Sequence, residues 1–157
     1  MFRVGLISDT HGLLRSEATA FLRGSAHIVH AGDICAPAVL RELEVLAPVT
    51  AVLGNNDRGS WTSSLRESEL VQLGGVFIYV IHDLAALDID PVAAGVQVVV
   101  SGHSHKPSVT QREGVLYVNP GSAGPRRFKL PIAAAELLIH EGSVSARITE
   151  FSIENAA

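Results

Sequence analysis

The sequence predicts an α/β fold in which two β-sheets pack face to face and helices cover the outside. Three observations indicate this fold. In the first half of the chain, short runs rich in valine, isoleucine and leucine alternate with stretches of helical character. In the second half, similar apolar runs are separated by turns that contain glycine, with the spacing of tight hairpins. Polar motifs stand where several of the apolar runs end, which is typical of strands that lead into a site.

The first half reads as strand, helix, strand, helix, strand. Right-handed crossovers make such strands parallel, and parallel strands place their carboxyl ends along one edge, where open α/β sheets keep their ligands. Polar residues that follow these strands should therefore meet in space. The strands are expected over Phe2–Ile7, 27–29 and 49–53, and the helices over 14–23 and Pro37–Leu46.

The second half is expected to be rich in hairpins. Two further runs, Val76–Ile81 and 96–100, lead straight into His82 and into the motif 101–103, so they should form strands of a second sheet at the same edge. A short helix is expected over 92–94, and the polar stretch 56–68 is expected to be a loop beside the site. The hairpin turns are expected at Gly74-Gly75, between 69–73 and Val76–Ile81; at Glu113-Gly114, between Ser108–Arg112 and 115–118; and at Glu141-Gly142, between 132–139 and 144–151.

Length and composition narrow the class of protein. The 157 residues fit one domain, 1–157, with a substantial core. Hydrophobic residues make up 47% of the chain and aromatic residues only 5%, so the core should be aliphatic. The net charge of -4 argues against an extended nucleic-acid surface, which would need a basic patch, although a small nucleotide remains compatible with it.

The single cysteine and the start of the chain bear on location. Cys35 cannot form an intrachain disulfide and fits a reducing compartment, where we expect it to be a packing residue. Residues 1–8 lack the apolar core of a signal peptide, and no uninterrupted apolar stretch approaches the roughly 20 residues that span a bilayer. We therefore expect a cytoplasmic protein without a membrane partner.

Five polar motifs follow apolar runs, and they predict a two-metal site. Each motif alone is weak: Asp9 could cap the next helix, Asp33 could organise the turn before Pro37, and the histidines of 103–105 could lie in a surface turn. Five strand ends that all carry metal-type side chains are a much stronger signal. Imidazole nitrogens mixed with hard oxygens suit Mn, Fe, Ni, Zn or Co better than Ca or Mg. The expected metal ligands are Asp9, His11, Asp33, Asn55, His82, His103 and His105.

Positive charge is concentrated after a turn that is expected at 119–122. Arg126, Arg127 and Lys129 form the densest basic cluster in this acidic chain. A solvated surface is the ordinary interpretation, and the functional alternative is that the cluster helps to hold an anionic substrate. The same two interpretations apply to Arg58, which lies beside Asp57. The remaining histidines, His27, His30 and His140, are expected to be structural or exposed.

The ordered motifs D-x-H, GD, GN-x-D, H and GH-x-H, together with the NPGS turn, resemble the calcineurin-like metallophosphoesterase superfamily, and most of all its small single-domain prokaryotic phosphodiesterase branch. The motifs run from Asp9 to Ser122. The resemblance implies a four-layer α/β/β/α sandwich of two mixed β-sheets flanked by helices. It further implies that one metal is bound by Asp9, His11 and His105, the other by Asn55, His82 and His103, with Asp33 as the bridge.

Two positions depart from the family pattern. Asn56 stands where much of the superfamily has a histidine that can protonate the leaving group, and Asp83 stands where glycine is common. An amide cannot act as a general acid near neutral pH, but it can position phosphate by hydrogen bonding. Good leaving groups, or a different acid, are then expected. We assign catalytic roles to Asp33 and Asn56, and substrate binding to Asn56, Arg58, Arg126 and Arg127.

The expected function is hydrolysis of a small phosphodiester, with nucleotides among the candidate substrates. The nucleophile would be a hydroxide that bridges two divalent transition metal ions, for which we favour Mn, with Ni, Fe, Zn or Co as alternatives. One rival function is a phosphomonoesterase with the same metals. Another is a largely non-catalytic scaffold that resembles the retromer subunit of this fold, although a scaffold has no need of seven ligands. A homo-oligomer is left open.

Overall fold

The computed structural model describes residues 1–153, which form two five-stranded sheets and two α-helices. Two short 3₁₀ helices, Ser60–Ser64 and Leu84–Ala86, lie in the connections. In chain order the main elements are β1 (Phe2–Ile7), α1 (Ser16–Leu22), β2 (His27–His30), α2 (Pro37–Leu46), β3 (Val49–Ala51), β4 (Ser68–Leu73), β5 (Val76–Ile81), β6 (Val98–Val100), β7 (Ser108–Arg112), β8 (Val115–Asn119), β9 (Ile132–His140) and β10 (Ser143–Phe151).

The first sheet has the strand order β10-β9-β1-β2-β3. β1, β2 and β3 are parallel and are joined through α1 and α2, which confirms the predicted crossovers. β9 pairs antiparallel with β1, and the hairpin through Glu141-Gly142 adds β10 at the edge. The last hairpin of the chain therefore returns to the sheet that the first half begins.

The second sheet has the order β4-β5-β6-β8-β7. Its outer pairs are the antiparallel hairpins predicted at Gly74-Gly75 and Glu113-Gly114, while β5, β6 and β8 are parallel to one another. Both sheets are thus mixed. β5 and β6 end beside the strands of the first sheet that carry the other motifs, so the parallel centres of the two sheets deliver their polar ends to one region.

Three aliphatic clusters hold the layers together. The largest lies between the sheets, where Leu6, Val29, Ile78 and Leu137 are fully buried. A second cluster packs α1 and α2 against the outer face of the first sheet. A third lies on the outer face of the second sheet, under the 3₁₀ helix Leu84–Ala86 and its neighbouring loop. The predicted sandwich of two mixed sheets is confirmed, and its layer over the second sheet is short.

Four predictions of helices and strands need correction. The helix expected over 92–94 is wrong: Asp90 Oδ1 accepts from the N–H groups of Val92 and Ala93 as a helix cap would, but Gly95, at φ +75°, ends the turn. The helix expected from residue 14 begins at Ser16. The runs 49–53 and 96–100 pair as strands only over Val49–Ala51 and Val98–Val100.

The stretch 56–68 is a loop, as expected, and it contains the 3₁₀ helix Ser60–Ser64. Trp61 packs against the cluster under α1 and α2. Within residues 1–153, every helix is too short or too polar to cross a membrane.

Candidate metal centre

The seven predicted donor residues lie together where the strands end. Asp9 and His11 follow β1, Asp33 follows β2, and His82 follows β5 directly. Asn55 and the two histidines of the GH-x-H motif come from the loops after β3 and β6. Their donor atoms form a continuous series of neighbours: His103 Nδ1 to Asn55 Oδ1 (3.2 Å), Asn55 Oδ1 to His82 Nε2 (3.0 Å), His82 Nε2 to Asp33 Oδ2 (3.4 Å), Asp33 Oδ2 to His11 Nε2 (3.6 Å), His11 Nε2 to Asp9 Oδ1 (3.9 Å), and Asp9 Oδ1 to His105 Nε2 (3.3 Å).

Asp9, His11 and His105, hereafter the inner donor group, offer ligand atoms that all lie within 4.8 Å of one another. Asp9 Oδ1, His11 Nε2 and His105 Nδ1 are buried and have no hydrogen-bond partner among the described residues. Leaving one buried polar atom unsatisfied costs about 1–3 kcal/mol. Asp9 Oδ1 and His11 Nε2 lie 3.9 Å apart, and two unsatisfied atoms side by side are the arrangement that a bound cation would stabilise, so the residues present fit a metal ion.

The orientation of the Asp9 carboxylate is set by its second oxygen. Oδ2 accepts a hydrogen bond from Ser8 Oγ (2.6 Å) and one from the His103 N–H (3.1 Å), which leaves Oδ1 facing the histidines. Gly102 permits this approach, because a Cβ there would collide with the side chains of Ser8 and Asp9. Burial alone would raise the pKa of Asp9, but contact with His105, the bond from Ser8 and the charge of His82 lower it overall, so the carboxylate stays ionised.

Asp33 lies between the two sets of histidines. Its Oδ2 is 3.6 Å from His11 Nε2 and 3.4 Å from His82 Nε2. The backbone N–H of Asn56 donates to Oδ1, and the Asn56 side-chain amide donates to Oδ2, each at 2.9 Å. Burial would raise the pKa of Asp33, but His82 and the two Asn56 bonds hold it well below its usual range. With Asp9 and His82 it forms a second group able to hold a metal ion.

Asn55, His82 and His103, hereafter the outer donor group, satisfy one another. Asn55 Oδ1 lies 3.0 Å from His82 Nε2 and 3.2 Å from His103 Nδ1. His82 Nδ1 faces the Ala31 carbonyl at 2.7 Å, which fixes the ring and leaves Nε2 for the site. Burial lowers the pKa of His82, but the contact with Asp33, the charge of Asp9 and the bond to Ala31 raise it overall.

The hydrogen bonds of Asn56 refine its expected role. We expect its amide to position phosphate, and in the structure its Nδ2 also donates to Asp33 Oδ2. Asn56 therefore orients the central carboxylate of the site. The sequence predicted roles for Asn56 towards the substrate, but not this contact with Asp33.

Asp57 joins the two loops that carry Asp33 and Asn55. Its Oδ2 accepts from the N–H groups of Asp33 (3.1 Å) and Gly54 (2.8 Å), and its Oδ1 accepts from the N–H of Cys35 (2.8 Å). Asp57 is 8% exposed, so these bonds are sheltered from water. The sequence motif contains this residue, but only the structure shows that it holds two loops in register.

The NPGS turn clamps the loop with His103 and His105. Asn119 Nδ2 donates to the Gly102 carbonyl (3.0 Å) and to Ser104 Oγ (3.1 Å). Ser122 Oγ donates to the Asp9 carbonyl at 2.9 Å, so the same turn also fixes the loop after β1. Sequence reasoning identified a turn here from its proline and glycine, and missed these contacts.

His30 lies beneath the inner donor group as a buried structural residue. The Gly32 N–H donates to its Nδ1 (3.1 Å), so the proton is on Nε2, which donates to Thr10 Oγ1 (3.0 Å). Thr10 in turn donates to the Ile34 carbonyl (3.2 Å). Complete burial lowers the pKa of His30 to about 4. A neutral imidazole thus ties the loop after β1 to the loop after β2.

Five of the seven predicted donors have left-handed backbone conformations, which residues with side chains seldom adopt. Such conformations cost of order 1–3 kcal/mol each and gather at functional sites. The strained backbone therefore points to the same place as the unsatisfied donor atoms. The five φ values are +54° at Asp9, +46° at His11, +57° at Asp33, +70° at His103 and +63° at His105.

The predicted substrate-binding arginines are distributed unequally around the site. Burial is the largest cause of the lowered pKa of His11. Arg127 is near enough for its positive charge to lower this pKa further. Arg126 instead lines a surface groove with Glu150 and Phe151. Arg58 is exposed on the loop after Asp57.

The Cys35 thiol lies 3.7 Å from His11 Nδ1. Burial, with the charges of Asp57 and Asp33, raises its pKa to about 11, so it is protonated near neutral pH. This state agrees with the packing role expected from the sequence.

Comparison with known proteins gives one consistent result. The model of the calcineurin-like phosphoesterase superfamily domain matches residues 2–142. A probable metallophosphoesterase of Methanothermobacter thermautotrophicus is 40% identical over 140 residues, which cover 82% of this chain and 81% of that protein.

Solved structures show the same fold. A structure reported as a novel archaeal phosphodiesterase is 20% identical, with a TM-score of 0.78, and the match covers 94% of this chain and 100% of that one. Vacuolar protein sorting 29 from Cryptosporidium parvum is 22% identical, with a TM-score of 0.75, and covers 97% of this chain and 98% of its own.

Proposed function

The chain belongs to the calcineurin-like phosphoesterase superfamily, and we propose that it hydrolyses phosphodiesters with two divalent metal ions, of which we favour manganese. The observation that carries this proposal is the inner donor group, in which the facing atoms Asp9 Oδ1 and His11 Nε2 are buried and have no hydrogen-bond partner among the described residues. The likeness to an archaeal phosphodiesterase supports the same substrate class.

We divide the donors between two ions as the family resemblance implies. Asp9, His11 and His105 would hold one ion, the outer donor group would hold the other, and Asp33 would contact both. Bound divalent ions would supply Lewis acidity, which makes water nucleophilic near neutral pH and neutralises charge on the phosphoryl group. The protein contributes fixed positions for the donors, through Ser8, Asn119 and the bonds from Asn56 to Asp33.

Asn56 favours diesters with acidic leaving groups. Its amide cannot supply a proton near neutral pH, and its donor is engaged with Asp33. A leaving group that departs without protonation at this position must have a low pKa. Arg127, near His11, would add positive charge for the substrate phosphate.

Metal removal tests the proposal. The protein is stripped with a chelator, restored with Mn, and assayed with bis-p-nitrophenyl phosphate and p-nitrophenyl phosphate. We expect turnover to disappear with the metal, to return with it, and to favour the diester. A preference for the monoester would instead indicate a phosphomonoesterase.

A pair of variants tests the site itself. His103→Ala should remove the restored activity, whereas His140→Ala should not, because His140 is an exposed histidine at the end of β9. Metal uptake by the unmodified protein without turnover of either ester would reject the hydrolase and favour the scaffold.

A further inference from the structure

A cavity of about 430 Å³ opens beside the outer donor group. His82, His103 and Asn55 stand at one end of it, and Tyr79 and Ile81 of β5 line its wall. Segments 53–57, 67–68 and 83–88 supply most of the remaining lining. Its volume is in the range of cavities that bind small molecules. A substrate whose phosphate reached the metal donors could therefore place a substituent here.

The cavity is acidic. Four acidic residues line it, and its lining among residues 1–153 contains neither lysine nor arginine. Asp57 is buried, and its carboxylate accepts three hydrogen bonds from backbone N–H groups. The other three carboxylates, of Glu67, Asp83 and Asp88, do not belong to either group whose donor atoms are close enough to share a metal ion. They act as separate negative charges around one opening, which attract a positively charged substituent and repel an anionic one.

Tyr79 places a polar group in the wall of the cavity. The residue is 8% exposed, so its ring is packed in the wall. Its hydroxyl is not among the buried side-chain atoms of residues 1–153 that lack a partner, so it is open to the cavity and available to a group that enters. The hydroxyl can accept a hydrogen bond from an ammonium group, and the ring can receive a cation on its face.

The opposite side of the site has the opposite charge. Arg127 closely follows Gly124, whose backbone packs against Asp9 and Thr10 beside the inner donor group, while the carboxylates lie beyond the outer donor group. A substrate with an anionic end and a cationic end would have one favoured direction across the two groups. A polyanionic substrate would have none that avoids the carboxylates.

We propose that the substrate is a phosphodiester of an amine-bearing alcohol, whose protonated or quaternary nitrogen occupies the cavity lined by Glu67, Asp83, Asp88 and Tyr79. This inference rests on the proposed function and adds the chemical class of one substituent. The phosphate would lie at the metal donors, and the cationic group would lie in the cavity.

Two matched chromogenic diesters test the inference with the metal-restored protein. One is p-nitrophenyl phosphocholine; the other is its neutral isostere, p-nitrophenyl 3,3-dimethylbutyl phosphate. We expect kcat/KM to be about five- to tenfold higher for the choline ester, since each partly exposed carboxylate contributes little by itself. Equal values, or a preference for the neutral ester, would overturn the inference.

Variants locate the preference. Glu67→Gln, Asp83→Asn and Asp88→Asn together should reduce the ratio to near one, and Asn at position 83 can still cap Ala85 as the aspartate does. The double variant Glu67→Gln with Asp88→Asn leaves Asp83 beside His103 unchanged. It should lose most of the preference in kcat/KM for the choline ester over the neutral ester. A control with the same charge change, Glu17→Gln, Glu42→Gln and Glu44→Gln, lies on α1 and α2 and should retain it. An unchanged ratio in the triple cavity variant would overturn the assignment.

A binding measurement separates this inference from the proposed function. Calorimetry compares choline with 3,3-dimethylbutanol, and we expect choline to bind more tightly to the original protein and equally to the triple cavity variant. Tighter choline binding without turnover of any diester would reject the proposed function and leave the cavity assignment standing. Turnover of both diesters without any preference for the cation, in binding or in rate, would reject the cavity assignment and leave the proposed function standing.

Discussion

The inner and outer donor groups differ in how the protein satisfies their donor atoms. In the inner group, Asp9 Oδ1, His11 Nε2 and His105 Nδ1 are buried without hydrogen-bond partners among residues 1–153. In the outer group, Asn55 Oδ1 bonds to both histidines. An ion bound in the inner group would satisfy buried atoms that lack hydrogen-bond partners, whereas an ion bound in the outer group would replace contacts that the donors already make with one another.

The surroundings of the two groups reinforce this difference. Asp9 is fully buried, and its loop is fixed by Ser8, Ser122 and the His30–Thr10 contact. The His103 side chain is 47% exposed and lies beside the acidic cavity. We infer that the inner group is built for tight binding of an ion, and the outer group for access to substrate.

The largest effect should come from the residue that contacts both groups. Asp33→Ala removes the carboxylate between His11 and His82, and we expect kcat/KM to fall about 1,000-fold, as when a major electrostatic contact at a reacting centre is lost. The rate is measured with the metal-restored protein, and circular dichroism checks the fold. Glu44→Ala, on the exposed face of α2, is the control. Near-normal turnover of Asp33→Ala would reject the site.

The second prediction concerns the support beneath the inner group. The folded protein holds the pKa of His30 at about 4, below its ordinary value of 6.5, so between these values the unfolded chain binds more protons. The contribution of His30 to the free energy of unfolding is therefore fully present above pH 6.5. It decreases by about 3 kcal/mol as the pH falls towards 4.

Urea unfolding of the original protein and of His30→Gln measures this contribution. The variant should show a smaller fall in stability across that pH range. The lowered pKa values of His11 and His27 act in the same direction in both proteins, so the difference between the two isolates His30. Parallel pH curves would show that His30 is not held neutral by the fold.

Metal titration sharpens the comparison directly. Because the outer donors must lose two hydrogen bonds, we expect Mn to bind in two phases, with affinities that differ about 30-fold. His11→Ala should remove the tight phase, and His103→Ala should remove the weak one. Calorimetry is the measurement. A single phase, or loss of the tight phase in His103→Ala, would contradict the division into two groups.

The smallest effect should come from the clamp that serves both groups. Asn119→Ala releases the loop with His103 and His105, and we expect both binding phases to weaken about tenfold, the effect of losing a contact that orients metal ligands. Gln111→Ala, an exposed residue of the neighbouring strand β7, is the control. A change in only one phase would mean that Asn119 fixes one histidine rather than the loop.

The sequence could predict which segments meet, because parallel strands share an edge and each motif follows a strand. It could also predict the hairpins at Gly74-Gly75 and Glu113-Gly114, whose turn residues have local requirements. The error at 92–94 has a local cause too, since Asp90 caps a turn that Gly95 ends before a helix can form.

The contacts that orient the donors could not be predicted in this way. Asn119 acts on residues 15 to 17 positions away, Asp57 on a loop 22 to 24 positions away, and Arg15 on Gly124 across 109 positions. Periodicity and turn chemistry describe neighbours in the chain, and these bonds join distant loops. The later start of α1 also follows no local signal in the sequence. Arg15, the residue before this helix, donates through its side chain to the distant Gly124 carbonyl.

The left-handed backbone at five donor positions has a consequence for laboratory evolution. Glycine adopts these φ values without strain, so replacing His11 or His103, whose side chains are more exposed than those of Asp9 and His105, by glycine should relieve up to about 1 kcal/mol at each position. Selection for heat resistance alone would then enrich glycine at the positions of the predicted metal ligands. The selected proteins would be more stable but inactive. Libraries screened for durability should therefore keep these codons fixed.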